Sequence, residues 1–156
     1  VRPVAAETMV GMILQMLGRQ DEAQRRYERA LELDPGAPVA ANNLAWMYAE
    51  GRGSLDIALQ LAQAAKAGLP DAAEVNDTLG WIYWKKGLGT MAVPPLLEAV
   101  EKAPKNPVYH YHLGLAYAQA QQPDKARASL QTALTLNPGF EYAADAKERL
   151  AALPRQ

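Results

Sequence analysis

The sequence has no cysteine, which excludes disulfide scaffolds, thiolate metal sites, iron–sulfur clusters and thiol catalysis. That absence selects no compartment, because a chain without thiols tolerates oxidising and reducing surroundings alike. A charge surplus is missing too: 16 Lys and Arg stand against 17 Asp and Glu, a formal net charge of -1. A nucleic-acid or anionic-membrane partner would need a basic excess. No apolar run approaches the roughly 18 residues of a membrane span, and no basic stretch followed by an apolar one opens the chain. The first residue is Val1, not Met, so the expectation is a processed protein or a piece of a longer one. β-Branched residues are scarce, with 8 Val, 3 Ile and 5 Thr, whereas Ala contributes 30 and Leu 20. Ala and Leu favour helices and β-branched residues favour strands, so the composition predicts a nearly all-α fold with short turns.

What the sequence does have is internal repetition. Pro35, Pro70, Pro104 and Pro138 lie 35, 34 and 34 residues apart. Gly11, Ala45, Gly80 and Gly114 recur at intervals of 34, 35 and 34. Two alanine series, Ala23, Ala58, Ala92, Ala126 and Ala30, Ala65, Ala99, Ala133, repeat the spacing 35, 34 and 34. Three residues after each small residue comes Leu14, Tyr48, Tyr83 or Tyr117. All series share one slip, which places a single inserted residue between Glu50 and Ser54, in a turn that tolerates insertion.

The stretches Leu79-Gly80-x-x-Tyr83…Ala92…Ala99…Pro104 and Leu113-Gly114-x-x-Tyr117…Ala126…Ala133…Pro138 resemble the tetratricopeptide (TPR) repeat, a 34-residue helix–turn–helix unit. The resemblance covers roughly residues 4–140 and implies an all-α, right-handed TPR superhelix. The expectation is a single domain over 1–156, with repeats at about 4–37, 38–72, 73–106 and 107–140. In physical terms, the small residue and the second-helix alanine mark where two helix backbones approach closely, and the proline ends the second helix. First helices are expected at 4–17, 38–50, 72–86 and 107–120, and second helices at 21–34, 55–67, 90–103 and 124–137. Asp21, Ser54 and Asp124 are expected to cap second helices, and Gly18 and Gly87 to form turns. Pro94 and Pro95 predict a late-starting or kinked second helix in the third repeat. Apolar spacing over Phe140, Ala143, Ala144, Lys147, Leu150 and Leu153, with charges opposite, predicts a capping helix at about 141–153. No comparable cap precedes Val4, which adds to the expectation of a fragment of a longer array.

No catalytic constellation emerges, and no enzyme, cofactor or metal site is expected. His110 and His112 are two apart on a helix and point ~200° apart, so they cannot chelate one metal as an i, i+4 pair can. One ring is expected at a helix interface and one toward a groove. Ser54 and Ser129 sit in no nucleophile elbow. Gly51-x-Gly53 lacks the third glycine and the preceding strand of a dinucleotide fingerprint. Asp71, Glu74 and Asp77 open a helix, where the dipole favours negative charge. Arg25, Arg26 and Arg29 alternate with Glu22, Glu28 and Glu32 on a solvated face.

The TPR resemblance implies a concave groove lined by first helices, where a peptide or partner segment binds. By repeat register the lining is Thr8, Met12 and Met16; Asn42, Trp46 and Glu50; Asp77, Trp81, Trp84 and Lys85; and Tyr111, Leu115 and Gln119. All three tryptophans fall in this set, and Trp is enriched at binding hot spots. The carboxylate clamp of some TPR co-chaperones is not expected: Asn43 fills a plausible slot, but Thr8, Met12, Glu74 and Thr78 stand where cations and an amide belong. An apolar or aromatic segment fits better. The phrases Asn43-Leu44-Ala45-Trp46 and Asp77-Thr78-Leu79-Gly80-Trp81 also resemble bacterial TPR proteins of exopolysaccharide export and envelope protein sorting. The expected function is a non-catalytic protein-interaction module, a scaffold or assembly factor. The alternative is a self-associating structural solenoid or the TPR part of an export protein. The expected partner is another protein or a second copy, with no nucleic acid and no membrane insertion. The protein is expected to be soluble, in cytoplasm or periplasm.

Overall fold

The computed structural model describes residues 3–154. Among these residues the regular elements are helical: α1 (Pro3–Met16), α2 (Gln20–Leu33), α3 (Pro38–Met47), α4 (Leu55–Gly68), α5 (Ala73–Lys85), α6 (Gly89–Lys102), α7 (Pro107–Gln119), α8 (Pro123–Leu136) and α9 (Ala143–Ala152). They form two compact units, one ending at Pro70 and the other starting at Asp71. The first holds α1 to α4 and the second α5 to α9.

Close helix approach explains the repeat. All eight members of the two alanine series are fully buried. Opposite the Gly11 series sits a second-helix residue of matched size. Gly11 faces the Tyr27 ring, Gly80 faces Leu96, and Gly114 faces Leu130. A Cβ on Gly114 would stand 2.8 Å from Leu130 Cγ and 3.3 Å from the Ala126 carbonyl oxygen, too close for either to accept unmoved. In the second repeat the small position carries a methyl, Ala45, and the matching second-helix position shrinks to Ala62; both are fully buried. The larger residue at the small position is thus met by a smaller partner, as close packing demands.

The inserted residue falls in the segment Tyr48–Arg52, where the chain kinks: Glu50 and Gly51 leave helical φ/ψ, Gly51 at φ 97°. Tyr48 keeps helical φ/ψ and the first departures are at Glu50 and Gly51, so the helical course ends close to the expected residue 50. Gly18 and Gly87 take positive φ in their turns, and Gln121 adopts the same region at φ 59°. Of the three expected caps only Ser54 acts as one, accepting from the Asp56 N–H at 3.2 Å. Asp21 and Asp124 lie inside the first turns of α2 and α8, where they interact with the helix dipole instead. The expected late start at Pro94 and Pro95 does not occur. α6 runs from Gly89 through both prolines, because the Ala92 N–H already donates to the Leu88 carbonyl at 3.0 Å before the first proline removes a donor.

α9 lies in the register of a first helix. Asp145 and Arg149 follow Tyr111 and Leu115 by 34 residues, and the turn before α9 repeats an earlier one. The Asn137 side chain accepts from the Gly139 N–H at 3.0 Å, as Asp34 accepts from Gly36 at 2.9 Å. α9 thus stands in first-helix register and packs on α8 as the expected capping helix, burying Ala143 and Ala146 and exposing Lys147, Glu148 and Arg149.

Candidate functional site

In the first unit, α1 and α3 border an open apolar cleft of about 410 Å³. Thr8 and Met12 line it with Val4, Ala5 and Met9 on one side and Pro38, Val39 and Ala40 on the other. The Thr8 hydroxyl donates to the Val4 carbonyl at 2.8 Å, so it makes no polar demand on a ligand. Met12 is 44% exposed. Trp46 is half-buried, and Met16 and Glu50 are exposed. Asn42 is buried; its Nδ2 donates to Asn43 Oδ1 at 3.4 Å. Asn43 in turn donates to the Tyr27 hydroxyl at 3.2 Å, and Tyr27 donates to Gln15 at 2.8 Å. This chain ties Asn43 to the core, which removes the last plausible member of a carboxylate clamp.

The second unit fills the same register positions with rings. Trp81 is 7% exposed. Its ring stacks on Trp84 with centroids 4.6 Å apart and on His112 at 4.2 Å. His112 is fully enclosed and its Nδ1 donates to Asp77 Oδ1 at 2.8 Å. His110 Nε2 donates to the Pro104 carbonyl at 2.8 Å, and both rings are buried, so neither faces a groove. Tyr111 stacks on Tyr142 at 5.0 Å and donates to Asp145 Oδ2 at 2.5 Å. The Arg149 guanidinium donates to the same oxygen at 2.6 Å and lies 5.7 Å over the Trp84 ring. Lys85 stands 5.2 Å over Trp81, and Gln119 Nε2 donates to the Trp84 carbonyl at 3.2 Å.

Electrostatics follow from this packing. Burial pushes the Tyr111 phenol up, and the Asp145 carboxylate adds to it. Burial works to raise Asp145, but the hydrogen bonds from Tyr111 and Arg149 outweigh it and hold the carboxyl below its ordinary range. Burial, with the Asp77 and Glu74 carboxylates behind it, pushes Tyr109 up to about 12. A His–Asp pair orients a base in many hydrolases, yet His112 lies under Trp81 with no exposed surface, so no substrate reaches it. Among the described residues no group of three or more His, Asp or Glu is placed to hold a metal.

Of the groove-lining positions expected from register, Met12, Met16, Glu50 and Lys85 are exposed and Trp46 and Trp84 are half-buried. Thr8, Asn42, Asp77, Trp81, Tyr111 and Leu115 are buried instead. The next helix in register covers the last four: His112 covers Asp77 and Trp81, and α9 reaches Tyr111 through Asp145 and closes a small pocket over Leu115 through Arg149 and Leu153. Tyr142, Asp145 and Arg149 were not expected at the site. The signal for the last two was their spacing of 34 from Tyr111 and Leu115.

Two family models described as tetratricopeptide repeat match the chain, one over residues 11–73 and one over 107–140. The fold is similar to a thermophilic TPR protein of Thermus thermophilus, with TM-score 0.73 and 28% identity over 96% of this chain and 80% of that one. It is also similar to MamA of MSR-1, with TM-score 0.74 and 25% identity over 96% of this chain and 87% of that one. Similarity to a chain of the APC/C hetero-tetramer Cut9–Hcn1 reaches TM-score 0.80 at 20% identity, over 92% of this chain and 29% of that one, and bears on fold alone. No curated protein sequence matches the chain.

Proposed function

The chain belongs to the tetratricopeptide repeat family, and on that premise we propose that it holds an apolar segment of a partner protein in the α1–α3 cleft. TPR repeats generally serve as non-catalytic scaffolds that bind other proteins, and this chain is such an all-α interaction module. No described helix is long and apolar enough to cross a membrane.

The observation that carries the proposal is the cleft itself, about 410 Å³ and bordered by Thr8, Met12 and Val39. Its volume lies in the range of small ligand sites, and flexible Met side chains adapt to varied apolar partners. The ligand is an extended or helical segment with one or two large apolar side chains and no carboxylate requirement, since the clamp cations are absent. The test is selection of binding peptides from a displayed library on the whole chain. Selected peptides should be apolar, should slow hydrogen exchange in 4–12 and 37–42, and should lose about tenfold or more in affinity with Met12→Asp. Peptides that protect neither segment, or that bind Met12→Asp unaltered, would remove the cleft from the function.

A further inference from the structure

Of the 5 methionines in the chain, Met9, Met12 and Met16 stand on α1. Spacings of three and four residues put them within about 60° of arc on one helix face, at successive turns. All three are exposed, at 60%, 44% and 87%. Met9 and Met12 border one cleft, whose other wall is α3, and Met16 stands one turn on from Met12. The register of Met16 is exposed again at Glu50, Lys85 and Gln119. The sulfur atoms are therefore reached from the side of the following first helix. In α3 the same three positions carry Asn43, Trp46 and Glu50, and in no other described first helix does sulfur occupy one of them.

A thioether is a soft, uncharged, polarizable donor, and such donors select copper(I) over hard or borderline divalent ions. The polar side chains of α1 are each engaged elsewhere. Glu7 is held by Arg26 at 3.0 Å, the Thr8 hydroxyl donates to the Val4 carbonyl at 2.8 Å, and Gln15 accepts from Tyr27 at 2.8 Å. A hard cation thus finds no oxygen set on this face. Stronger soft ligands do not compete either: the chain has no cysteine, and His110 and His112 are buried. Three rotatable bonds per side chain let the outer two sulfur atoms close on the central one. We propose that Met9, Met12 and Met16 form a three-thioether site for a soft monovalent cation of the copper(I) class. Binding is ligand exchange without electron transfer: the ion arrives as copper(I) and trades its solution ligands for three sulfur lone pairs. Thioethers have no proton to lose, so binding persists at about pH 5, where an imidazole site is protonated.

The test uses the whole chain with its methionine methyl groups carbon-13 labelled, and silver(I), an air-stable ion of the same soft class, as the first probe. Titration should shift the Met9, Met12 and Met16 signals together and saturate at one ion per chain. Met47, buried in the core, and Met91, exposed alone on α6, should stay in place. Copper(I) is then measured without oxygen, by competition with a chromophoric chelator. Met12→Leu should weaken both ions about tenfold or more, since losing a ligand costs at least what losing an outer-shell partner does. Met91→Leu should change nothing. Met12 is exposed, so leucine there should keep the parent circular dichroism spectrum. It also keeps the cleft wall apolar, which separates this site from peptide capture. Silver(I) affinity should be equal at about pH 5 and pH 7. The inference is overturned if Met91 shifts in step with the three α1 methionines, if Met12→Leu binds either ion as tightly as the parent, or if zinc(II) shifts the same three signals.

Discussion

Trp81→Ala should unfold the second unit well before it alters any binding surface. The ring is 7% exposed and lies between Trp84 at 4.6 Å and His112 at 4.2 Å. Truncating a buried Trp costs roughly 3–5 kcal/mol through lost transfer energy and the cavity left behind. The two ring stacks, about 0.5–1.5 kcal/mol each, lie within that figure. Water entering the cavity would also reach the Asp77–His112 hydrogen bond and recover part of the loss, so the lower half of the range is expected. For a unit of this size 1 kcal/mol moves the midpoint about 4–8 °C, which predicts a fall of about 12 °C or more. Urea denaturation followed by far-ultraviolet circular dichroism measures the free energy and a thermal scan the midpoint, with Trp84→Ala as the control. Trp84 is half-buried and should cost about 1–2 kcal/mol by its smaller loss of buried area. A Trp81→Ala protein within about 1 kcal/mol of the parent would show that the ring is not core, and would return it to the ligand-facing set.

Gly114→Ala should destabilise by about 1–2 kcal/mol, overpacking outweighing the helix propensity gained; adding Leu130→Ala should relieve the clash, so a double-mutant cycle should depart from additivity by about 1 kcal/mol, and additive losses would refute the volume pairing. Gln121→Gly should stabilise by about 0.5–1 kcal/mol, because Gln121 holds φ 59° at a steric cost that glycine avoids; a neutral or negative change in the urea midpoint counts against this. The attachment of α9 should depend on pH at both ends. Asp145 is held below its ordinary value of 3.8, so its contribution is present above that pH and is lost as pH falls through the folded value; Tyr111 is raised above 10.0, so its contribution is present below pH 10 and is lost as pH rises. Trp84 emission, sensitive to Arg149 above its ring, should report both transitions, and Asp145→Asn should abolish the acid one.

The helices and their order were legible because one steric rule wrote them four times. Gly11, Gly80 and Gly114 sit where a Cβ meets Tyr27, Leu96 or Leu130, and substitution there is so constrained that the period survives in sequence. The inserted residue was legible as a slip in that period, but its form was not, since the kink at Glu50 and Gly51 and a longer loop leave the same count. Trp81 shows where register stops being informative. Periodicity fixes the direction of a side chain from its own helix, whereas burial depends on what the following repeat lays over it. His112 stacks on Trp81, and Tyr142 and Asp145 engage Tyr111. α9 was legible as a helix with one apolar side, yet its register went unread because no second helix follows it among the described residues to repeat the alanine series.

Register positions also explain why the ligand site is proposed in one unit and not the other. Thr8 and Met12 occupy the positions that Asp77 and Trp81 hold in α5, and Tyr111 and Leu115 in α7. The backbone frame at these positions is alike, since each first helix meets its second helix through the same small residue. What differs is side-chain reach. Thr8 turns its hydroxyl back on the Val4 carbonyl at 2.8 Å and leaves the space before α3 open. Asp77 reaches His112 at 2.8 Å and Tyr111 reaches Asp145 at 2.5 Å, each joining one first helix to the next across the same gap. Buried polar links of this kind fix helix spacing and exclude a ligand together. Thr8, bonded within its own helix, and Met12, 44% exposed, make no such polar link, which leaves the proposed cleft open to a partner. Under the proposed function, ligand access is therefore decided at two positions per repeat, by whether their side chains reach the next first helix.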